Sequence, residues 1–269
     1  MRVICAENMG FCFGVKRALD MVLNERNAYT LGQLIHNPQV VELLEKRGIK
    51  EIKSIDEIEN GTLIITAHGT SKSNIIKAKE KGLKIIDTTC PLVKRVHELA
   101  GEFDKKGYKI ILFGDKEHQE VKGTASNAKD VTIVNSAEEA RKLKSNKAGL
   151  LSQTTQSLEK FNEIGDILKK NIPDLKVFNT ICDATRKRQD SALKLSKKVD
   201  LMIVTGGYNS ANTRRLKEIC SKIVETKHIE SDEALNKEWF KNKKTIGLTA
   251  GASTPGWVIK RVKDRIEKY

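Results

Sequence analysis

The chain has no long apolar run and no leader-like beginning. None of its apolar segments approaches the roughly 18 consecutive residues that a membrane-spanning helix requires. Its first residues, MRVICAENMGFC, contain no apolar stretch long enough for a secretory signal peptide. We therefore expect a cytoplasmic protein that does not enter a membrane.

Aromatic residues and prolines are also scarce. Aromatics make up only 5% of the chain, and the lysines behind its net charge of +14 are scattered instead of forming one dense block. We interpret the basic residues as lying on solvent-exposed faces of helices, and we expect no nucleic-acid partner. Four prolines in 269 residues leave no rigid linker, so domain boundaries have to be found from internal repetition.

Several short motifs with a defined chemistry are missing as well. The chain has neither a G-x-x-x-x-G-K-[ST] loop nor a G-x-G-x-x-G turn, so the usual modes of nucleotide binding lack support. It has no C-x-x-C pair, the spacing that structural zinc sites generally use. Five cysteines in a chain expected to be cytosolic are not a disulfide framework, and they remain candidates for structural thiols, catalytic thiols or metal ligands.

What the chain does have is a regular alternation of β-type and helical segments. Apolar runs alternate with amphipathic stretches such as 93–107 and 189–200, and this pattern predicts an α/β protein with mostly parallel sheets. The predicted strands include 63–68, 109–114, 131–135, 148–153, 201–206 and 245–251.

One pattern, a cysteine followed by three residues and then two basic ones, occurs three times. Each copy lies at the expected start of a helix, and in two copies a strand-ending glycine follows 24 positions after the cysteine. The copies run from Cys12 to Arg17, from Cys90 to Arg95 and from Cys182 to Lys187. This repetition predicts three similar α/β domains, 13–90, 91–181 and 182–269 together with 1–12.

The three repeated cysteines are the candidate metal ligands. Ligands bind beyond the carboxyl ends of parallel strands, so three units facing one another would bring Cys12, Cys90 and Cys182 to one cavity. Three thiolates fit either a zinc site completed by histidine or water, or an iron–sulfur cluster with one iron that lacks a protein ligand. A helix N-terminus favours the thiolate form. Cys5, in an apolar strand, and Cys220, on an amphipathic helix, are expected to be structural.

Polar side chains follow the predicted strands and indicate an anion pocket. Three histidines follow or closely trail apolar runs, and the segment TGGYNSANT (205–213) offers hydroxyl and amide groups between a strand and a helix. The candidate substrate-binding residues of this kind are His36, His68, His118, Asn209, Ser210, Asn212 and Ser253.

A carboxyl group close to this pocket is the candidate proton donor. His118 and Glu120 lie two residues apart on a predicted loop, and together they are a plausible pair for general acid–base catalysis. His97 and His228 are expected at the surface or in packing. A redox or Lewis-acid site, a diphosphate-sized anion pocket and a carboxyl proton donor together predict reductive cleavage of a small phosphorylated substrate.

Nine segments, taken in chain order, resemble the IspH/LytB family over nearly the whole chain. They are GFCFGVKRA, IHNPQVVELLEKRG, TAHGTS, DTTCPLVKRVH, HQEVKGT, SQTT, ICDATRKRQ, GYNSANTRRL and TAGAST. The resemblance implies a trefoil of three α/β domains around a central cluster. It also implies 4-hydroxy-3-methylbut-2-enyl diphosphate reductase activity, the last step of the methylerythritol phosphate pathway to isoprenoids.

The resemblance also implies a role for each matching residue. One [4Fe–4S] cluster would be held by the three repeated cysteines, its fourth iron open to the allylic hydroxyl of the substrate. The residues that would bind the diphosphate are His36, His68, Ser210, Asn212 and Ser253. Thr154 would hydrogen-bond near the hydroxyl, and Glu120, in a network with Thr154 and through the diphosphate with His118, would deliver protons.

The implied reaction uses two electrons, loses water and yields isopentenyl and dimethylallyl diphosphate. The implied donor is a ferredoxin or flavodoxin, typically acidic, which fits the basic surface, and we expect a monomer. Two positions depart from the family pattern. Gln119 stands where the family often has proline, and Ala211 stands where a serine is common.

On the residues alone, two other function classes remain open. A zinc-dependent hydrolase of a phosphorylated small molecule would use the same three cysteines and Glu120. An RNA-binding protein with structural cysteines would rest on the net charge and would bind with a steep salt dependence. The second reading gives the polar strand exits no role.

Overall fold

The computed structural model describes all residues, 1–269, and its twelve strands form three four-stranded sheets in which every strand pair is parallel. The predicted α/β class, with three similar parallel-sheet units, is confirmed. The strands are β1 (Arg2–Cys5), β2 (Ala28–Leu31), β3 (Ile49–Ile52), β4 (Thr62–Ile65), β5 (Lys84–Asp87), β6 (Lys109–Phe113), β7 (Val131–Val134), β8 (Lys147–Ser152), β9 (Asp174–Val177), β10 (Leu201–Thr205), β11 (Thr226–Ile229) and β12 (Thr245–Ala250). The helices are α1 (Phe13–Val22), α2 (Pro38–Glu45), α3 (Lys72–Glu80), α4 (Pro91–Lys105), α5 (Gln119–Ala125), α6 (Ala137–Arg141), α7 (Leu158–Asn171), α8 (Asp183–Ser196), α9 (Ala211–Ser221) and α10 (Gly256–Ile266), with short 3₁₀ helices at Ile55–Glu57, Asp232–Ala234 and Lys237–Phe240.

The three sheets share one strand order. In the sheet β3-β2-β4-β5, the first strand in chain order lies between the second and the third, and the fourth pairs with the third. The sheet β7-β6-β8-β9 repeats this order. The sheet β1-β12-β10-β11 has it too, with the N-terminal strand β1 in the place of the fourth strand. Because the strands of a parallel sheet all point the same way, their carboxyl ends lie at one end of the sheet. The connections that follow the four strands all leave from that end.

The chain forms two compact units. The first comprises Met1–Lys16, Ile35–Leu43 and Asp183–Tyr269, and it holds the sheet that contains β1. The second comprises Arg17–Leu34 and Leu44–Cys182, and it holds the other two sheets. The three-domain boundaries at 13–90, 91–181 and 182–269 with 1–12 stay a prediction.

Apolar side chains cover both faces of the central strands. In the first unit, Leu201 and Ile203 of β10 pack into a core with α10, whereas Met202 and Val204 pack on the opposite face with residues of α8 and α9. In the second unit, β6 likewise contributes to two cores. A parallel strand buried on both faces appears in the sequence as a continuous apolar run, which is why the pattern predicts these strands.

Three of the strands that the pattern does not predict lie at sheet edges. β3 (IKEI), β9 (DLKV) and β11 (TKHI) are four residues long, carry charged side chains and each have one neighbouring strand. Charged residues are common on edge strands, where they hinder pairing with other chains. Such strands therefore leave no apolar run for a sequence pattern to detect.

The helices differ from the prediction in two places. The loop predicted at 114–123, which holds His118 and Glu120, is wrong from Gln119 onward, because α5 begins there, and the amphipathic stretch 189–200 overruns the end of α8 at Ser196. α5 has only seven residues and contains Gly123, so helix propensity does not reveal it. The longest helix, α4, has 15 residues, and no helix is both long and apolar enough to cross a lipid bilayer.

Gly247, in β12, is a position where packing excludes a side chain. A Cβ there would overlap Met202 Sδ and would lie 3.0 Å from Val199 Cγ2 and 3.2 Å from Leu195 Cγ. We expect Gly247→Ala to lower the free energy of unfolding by about 1–3 kcal/mol, the usual cost of overpacking, in urea titrations followed by circular dichroism. Gly256→Ala is the matched control, since no atom lies within 4 Å of the added Cβ, and its effect should stay within about 0.5 kcal/mol. Equal losses in both variants would contradict this account.

Candidate active site

The three repeated cysteines occupy equivalent positions in the three sheets. Each follows the fourth strand of its sheet and directly precedes a helix, as predicted, and Pro91 is the first residue of α4. Each also donates its backbone N–H to a carbonyl just beyond the third strand of the same sheet. The bonds are Cys12 N to Ala252 O (3.1 Å), Cys90 N to Ala67 O (3.0 Å) and Cys182 N to Thr154 O (3.0 Å).

This equivalence follows from the strand order. The fourth strand pairs with the third, so the chain that leaves it runs alongside the exit of its neighbour. All three cysteines are partly exposed, and no disulfide forms. Each position therefore presents a partly exposed thiol that is free of a disulfide, directly before a helix.

The basic residues of the repeat have different contacts. Arg17 donates from its guanidinium to the carbonyls of Thr88 and Thr89, at 3.4 and 3.3 Å, directly before Cys90. Lys94 forms a 2.6 Å ion pair with Asp87. Arg17 thus supports the backbone next to a candidate ligand, whereas Lys94 forms a half-exposed pair of the kind that contributes little to stability.

A buried arginine supports the backbone near Cys12. Arg188, in α8, is 7% exposed and donates to Gly10 O from Nε at 3.0 Å and from Nη2 at 2.6 Å. Its Nη1 donates to Ala184 O at 2.8 Å. Charged donors make strong hydrogen bonds, so the segment that leads into Cys12 is held firmly.

The remaining two cysteines lie in hydrophobic cores of the first unit. Cys220 is buried among residues of α8, α9 and β10, and Cys5 packs beside the core that includes α10. Burial raises the pKa of both thiols, which keeps them protonated and unreactive. These surroundings fit the structural role expected from the sequence.

Glu120 and Thr154 form a buried pair in the second unit. Glu120 is 2% exposed and Thr154 is 5% exposed. Thr154 N donates to Glu120 Oε1 at 2.6 Å, and Thr154 Oγ1 lies 2.9 Å from Glu120 Oε2. Burial raises the pKa of Glu120 to about 7, against the opposing effect of the Thr154 hydrogen bonds. A carboxyl group of this kind is partly protonated near neutral pH and is suited to donate a proton.

Two of the predicted histidines meet beside this pair. His118 is the N-cap of α5, and its Nδ1 accepts the Glu120 N–H at 3.2 Å. The ring of His68, beyond β4, meets the ring of His118 edge to face, with centroids 5.3 Å apart. Gln119, the departure from the family pattern, contacts Leu31 O through Nε2 at 3.3 Å. Its side chain therefore ties α5 to the exit of β2.

Four predicted anion-binding residues lie together in the first unit. Ser253 Oγ donates to His36 O at 3.1 Å and lies 3.4 Å from Ser210 Oγ. Ser210 is the N-cap of α9, where its side chain accepts the Thr213 N–H. Asn212 is 3% exposed, and neither atom of its side-chain amide has a hydrogen-bond partner. A buried amide without partners is costly, and it points to a polar ligand at this position.

The charge of His36 and the exposure of Asn209 complete the description of the predicted anion-binding residues in the first unit. Burial, together with the nearby charge of Arg214, lowers the pKa of His36 to about 4, so this ring is neutral near pH 7. Asn209 is exposed on the loop before α9, in contrast to the buried Ser210 and Ala211.

A family model and full-length relatives agree on where this chain belongs. The model described as LytB protein matches residues 3–267. This chain belongs to the LytB family. A relative from Pelobacter propionicus named 4-hydroxy-3-methylbut-2-enyl diphosphate reductase is 46% identical, over 99% of this chain and 98% of its own length. A relative of the same name from Campylobacter hominis is 44% identical, over 99% of this chain and 98% of its own length.

Two solved structures resemble this LytB family member over almost its full length. One, described as (E)-4-hydroxy-3-methyl-but-2-enyl diphosphate reductase, the terminal enzyme of the non-mevalonate pathway, is 43% identical, covers 100% of both chains and has a TM-score of 0.70. The other, the E-1-hydroxy-2-methyl-but-2-enyl-4-diphosphate reductase from Plasmodium falciparum, is 33% identical, with a TM-score of 0.94 over 98% of this chain and 87% of that one.

In this LytB family member, two residues near the predicted anion-binding residues were not predicted from the sequence. A Cβ on Gly207 would lie 2.5 Å from His36 O, so only glycine allows that close approach. Glu230 accepts the Tyr208 N–H on Oε1 at 2.8 Å and the Gln39 side chain on its carbonyl at 3.2 Å. The two consecutive glycines of TGGYNS are a sequence signal that could have indicated the close approach at Gly207. Glu230 follows a charged edge strand, and no sequence pattern marks it.

The buried carboxyl of Glu120 predicts how stability depends on pH. Its pKa rises on folding from 4.5 to about 7, so the folded state binds more protons in this range and stability falls as the pH rises through it. Glu120→Gln removes that dependence. Urea unfolding should show the variant gaining on the order of 2–3 kcal/mol relative to the wild type between about pH 5 and about pH 8.

Glu117→Gln is the control for this titration. Glu117 is exposed, and its ion pair with Lys122 lowers its pKa, so its contribution changes only at pH values below the Glu120 range. The Glu117 variant should therefore follow the wild-type profile. A Glu120 variant with the same profile as the wild type would show that the folded carboxyl has an ordinary pKa.

Proposed function

We propose that this protein is a 4-hydroxy-3-methylbut-2-enyl diphosphate reductase, the terminal enzyme of the non-mevalonate pathway to isoprenoids. Identity of 41–46% over almost the whole chain to enzymes of that name carries the proposal. The reaction breaks the allylic carbon–oxygen bond of the substrate with two electrons and two protons. It releases water and isopentenyl or dimethylallyl diphosphate.

The proposed cofactor is one [4Fe–4S] cluster held by Cys12, Cys90 and Cys182. The donor set fits, because soft thiolates are the ligands that iron–sulfur clusters prefer. Three cysteines leave one iron without a protein ligand. When bound, the cluster would pass on the electrons of the donor and would supply a Lewis-acidic iron for the substrate hydroxyl.

The residues proposed to bind the diphosphate are His36, His68, His118, Asn209, Ser210, Asn212 and Ser253. The unpartnered amide of Asn212 supports this role, and the N-terminus of α9 favours a negative charge next to it. Ala211 supplies no hydroxyl, so Ser210 and backbone N–H groups would carry the contacts at that turn. These groups orient the substrate without taking part in electron transfer.

Glu120 would deliver protons through Thr154. Because Thr154 N–H can only donate, Glu120 Oε1 is an acceptor, and the proton of the neutral acid is therefore on Oε2. Oε2 lies 2.9 Å from Thr154 Oγ1, so the hydroxyl can accept this proton and pass its own towards the substrate. The pKa of about 7 keeps part of the carboxyl protonated near neutral pH. His118, whose Nδ1 faces the Glu120 N–H, would take part through the diphosphate.

The proposal includes the physiological setting of the enzyme. A ferredoxin or flavodoxin, typically acidic, would supply the electrons, and a net charge of +14 would favour its approach. We propose a monomer in the cytoplasm. The zinc-dependent hydrolase that the residues left open finds no support among the relatives, which carry the reductase name.

Metal and sulfide content test the proposed cofactor. Protein purified without oxygen should be brown, should contain about four irons and four sulfides per chain, and should reduce the allylic diphosphate with a chemical electron donor. Cys90→Ser should lose most of the iron, whereas Cys5→Ser, at a thiol outside the ligand set, should keep it. Stoichiometric zinc without sulfide would favour the hydrolase instead and contradict the proposal.

Turnover of a Glu120→Gln variant tests the proton path. We expect the rate to fall by more than about tenfold, because positioned acid–base groups typically contribute about 10²–10⁴-fold, while iron content and substrate affinity stay unchanged. Glu117→Gln, three residues away and exposed, is the control and should keep the wild-type rate. Near-normal turnover of Glu120→Gln would remove this carboxyl from the path.

A further inference from the structure

His97 is a half-buried histidine to which the proposed reaction assigns no role. It lies in α4, seven residues and two helical turns after Cys90. Its Nε2 atom is buried and has no hydrogen-bond partner, and burial lowers its pKa to about 4, so the ring is neutral near pH 7. A buried nitrogen without a hydrogen-bond partner costs free energy. A side chain that only filled space in the core could be apolar and would avoid this cost.

One edge of the His97 ring lies against two glycines. A Cβ on Gly69 would be 2.9 Å from His97 Cε1, and a Cβ on Gly123 would be 3.2 Å from Nε2 and 3.3 Å from Cε1. Real Cβ atoms rarely come so close to other heavy atoms. The ring therefore occupies space that both backbone segments leave open only because they carry glycine.

These glycines belong to the two segments that hold the paired histidines. Gly69 directly follows His68, and Gly123 lies in α5, whose N-cap is His118. A Cβ on Gly123 would also lie 3.2 Å from Thr70 O, so α5 and the loop after β4 approach each other closely at this point. His68 and His118 meet edge to face. The His97 ring thus packs against both segments that carry them, the loop after β4 and α5.

We infer that His97 is a positioning residue, whose ring sets the spacing between the His68 loop and α5 and so the spacing of the two histidines. The inference rests on the proposed function, in which these histidines bind the substrate diphosphate. The flat imidazole ring fits against both glycines at once. A smaller side chain would leave the loop and the helix free to shift, and displacements of about 1 Å can cost about 10²-fold in rate.

A size exchange between His97 and Gly123 tests this role. His97→Ala should lower kcat/KM for the allylic diphosphate about tenfold, mainly through KM, and should weaken binding of inorganic diphosphate to the cluster-loaded protein at least fivefold in calorimetry. Gly123→Ala, which crowds the ring, should also weaken binding. In the double variant the added methyl occupies part of the vacated space, so binding should recover at least threefold over His97→Ala.

Three comparisons decide the outcome. Gly101→Ala adds a methyl to α4, the helix of His97, with only an ordinary 3.6 Å contact to Asn127 O. It should leave both kcat/KM and the affinity for diphosphate unchanged. A lower melting temperature of His97→Ala with unchanged diphosphate affinity, or a double variant weaker than either single one, would overturn the inference. A wild type that binds diphosphate but reduces no substrate would contradict the proposed function alone, because the calorimetry would still test His97.

Discussion

The pairing of the fourth strand with the third in each parallel sheet is the constraint on which the cysteine arrangement depends. Because the two strands run side by side and end at the same edge, the residues that leave the fourth strand meet the exit of the third. Three backbone hydrogen bonds, one from each cysteine, express this constraint at 3.0–3.1 Å. The backbone positions of the three cysteines are therefore set by strand pairing.

Two buried polar groups at the candidate site cost folding stability. Glu120 is held in an environment that disfavours its charge, and Asn212 carries an amide without partners. Each costs free energy in the folded protein. Both side chains are almost fully buried, Glu120 at 2% and Asn212 at 3% exposed, so water does not solvate them. In the proposed function they are groups that would serve the substrate.

Much of the fold was predictable because central parallel strands are buried on both faces and appear as apolar runs. β6 and β10 illustrate this, and the cysteine motif, which precedes each of them and has a third copy at Cys12, indicates the threefold repetition. Edge strands such as β11 escaped prediction because their charged residues leave no such run. α5 escaped because seven residues that include a glycine carry little helix signal. The pattern therefore predicts a loop at Glu120, where the structure has the first turn of α5, although the family resemblance implies the contact of Glu120 with Thr154.

The sequence by itself determined the class of the fold, the three thiols at helix starts and the set of polar residues at strand exits, because these depend on local patterns that repeat along the chain. Only the tertiary structure decided the surroundings of those residues. Burial raises the pKa of Glu120 to about 7, Gly207 admits the His36 carbonyl, and His97 packs against two glycines of separate segments. Each of these effects depends on atoms brought together from distant parts of the chain, and no local pattern encodes such contacts.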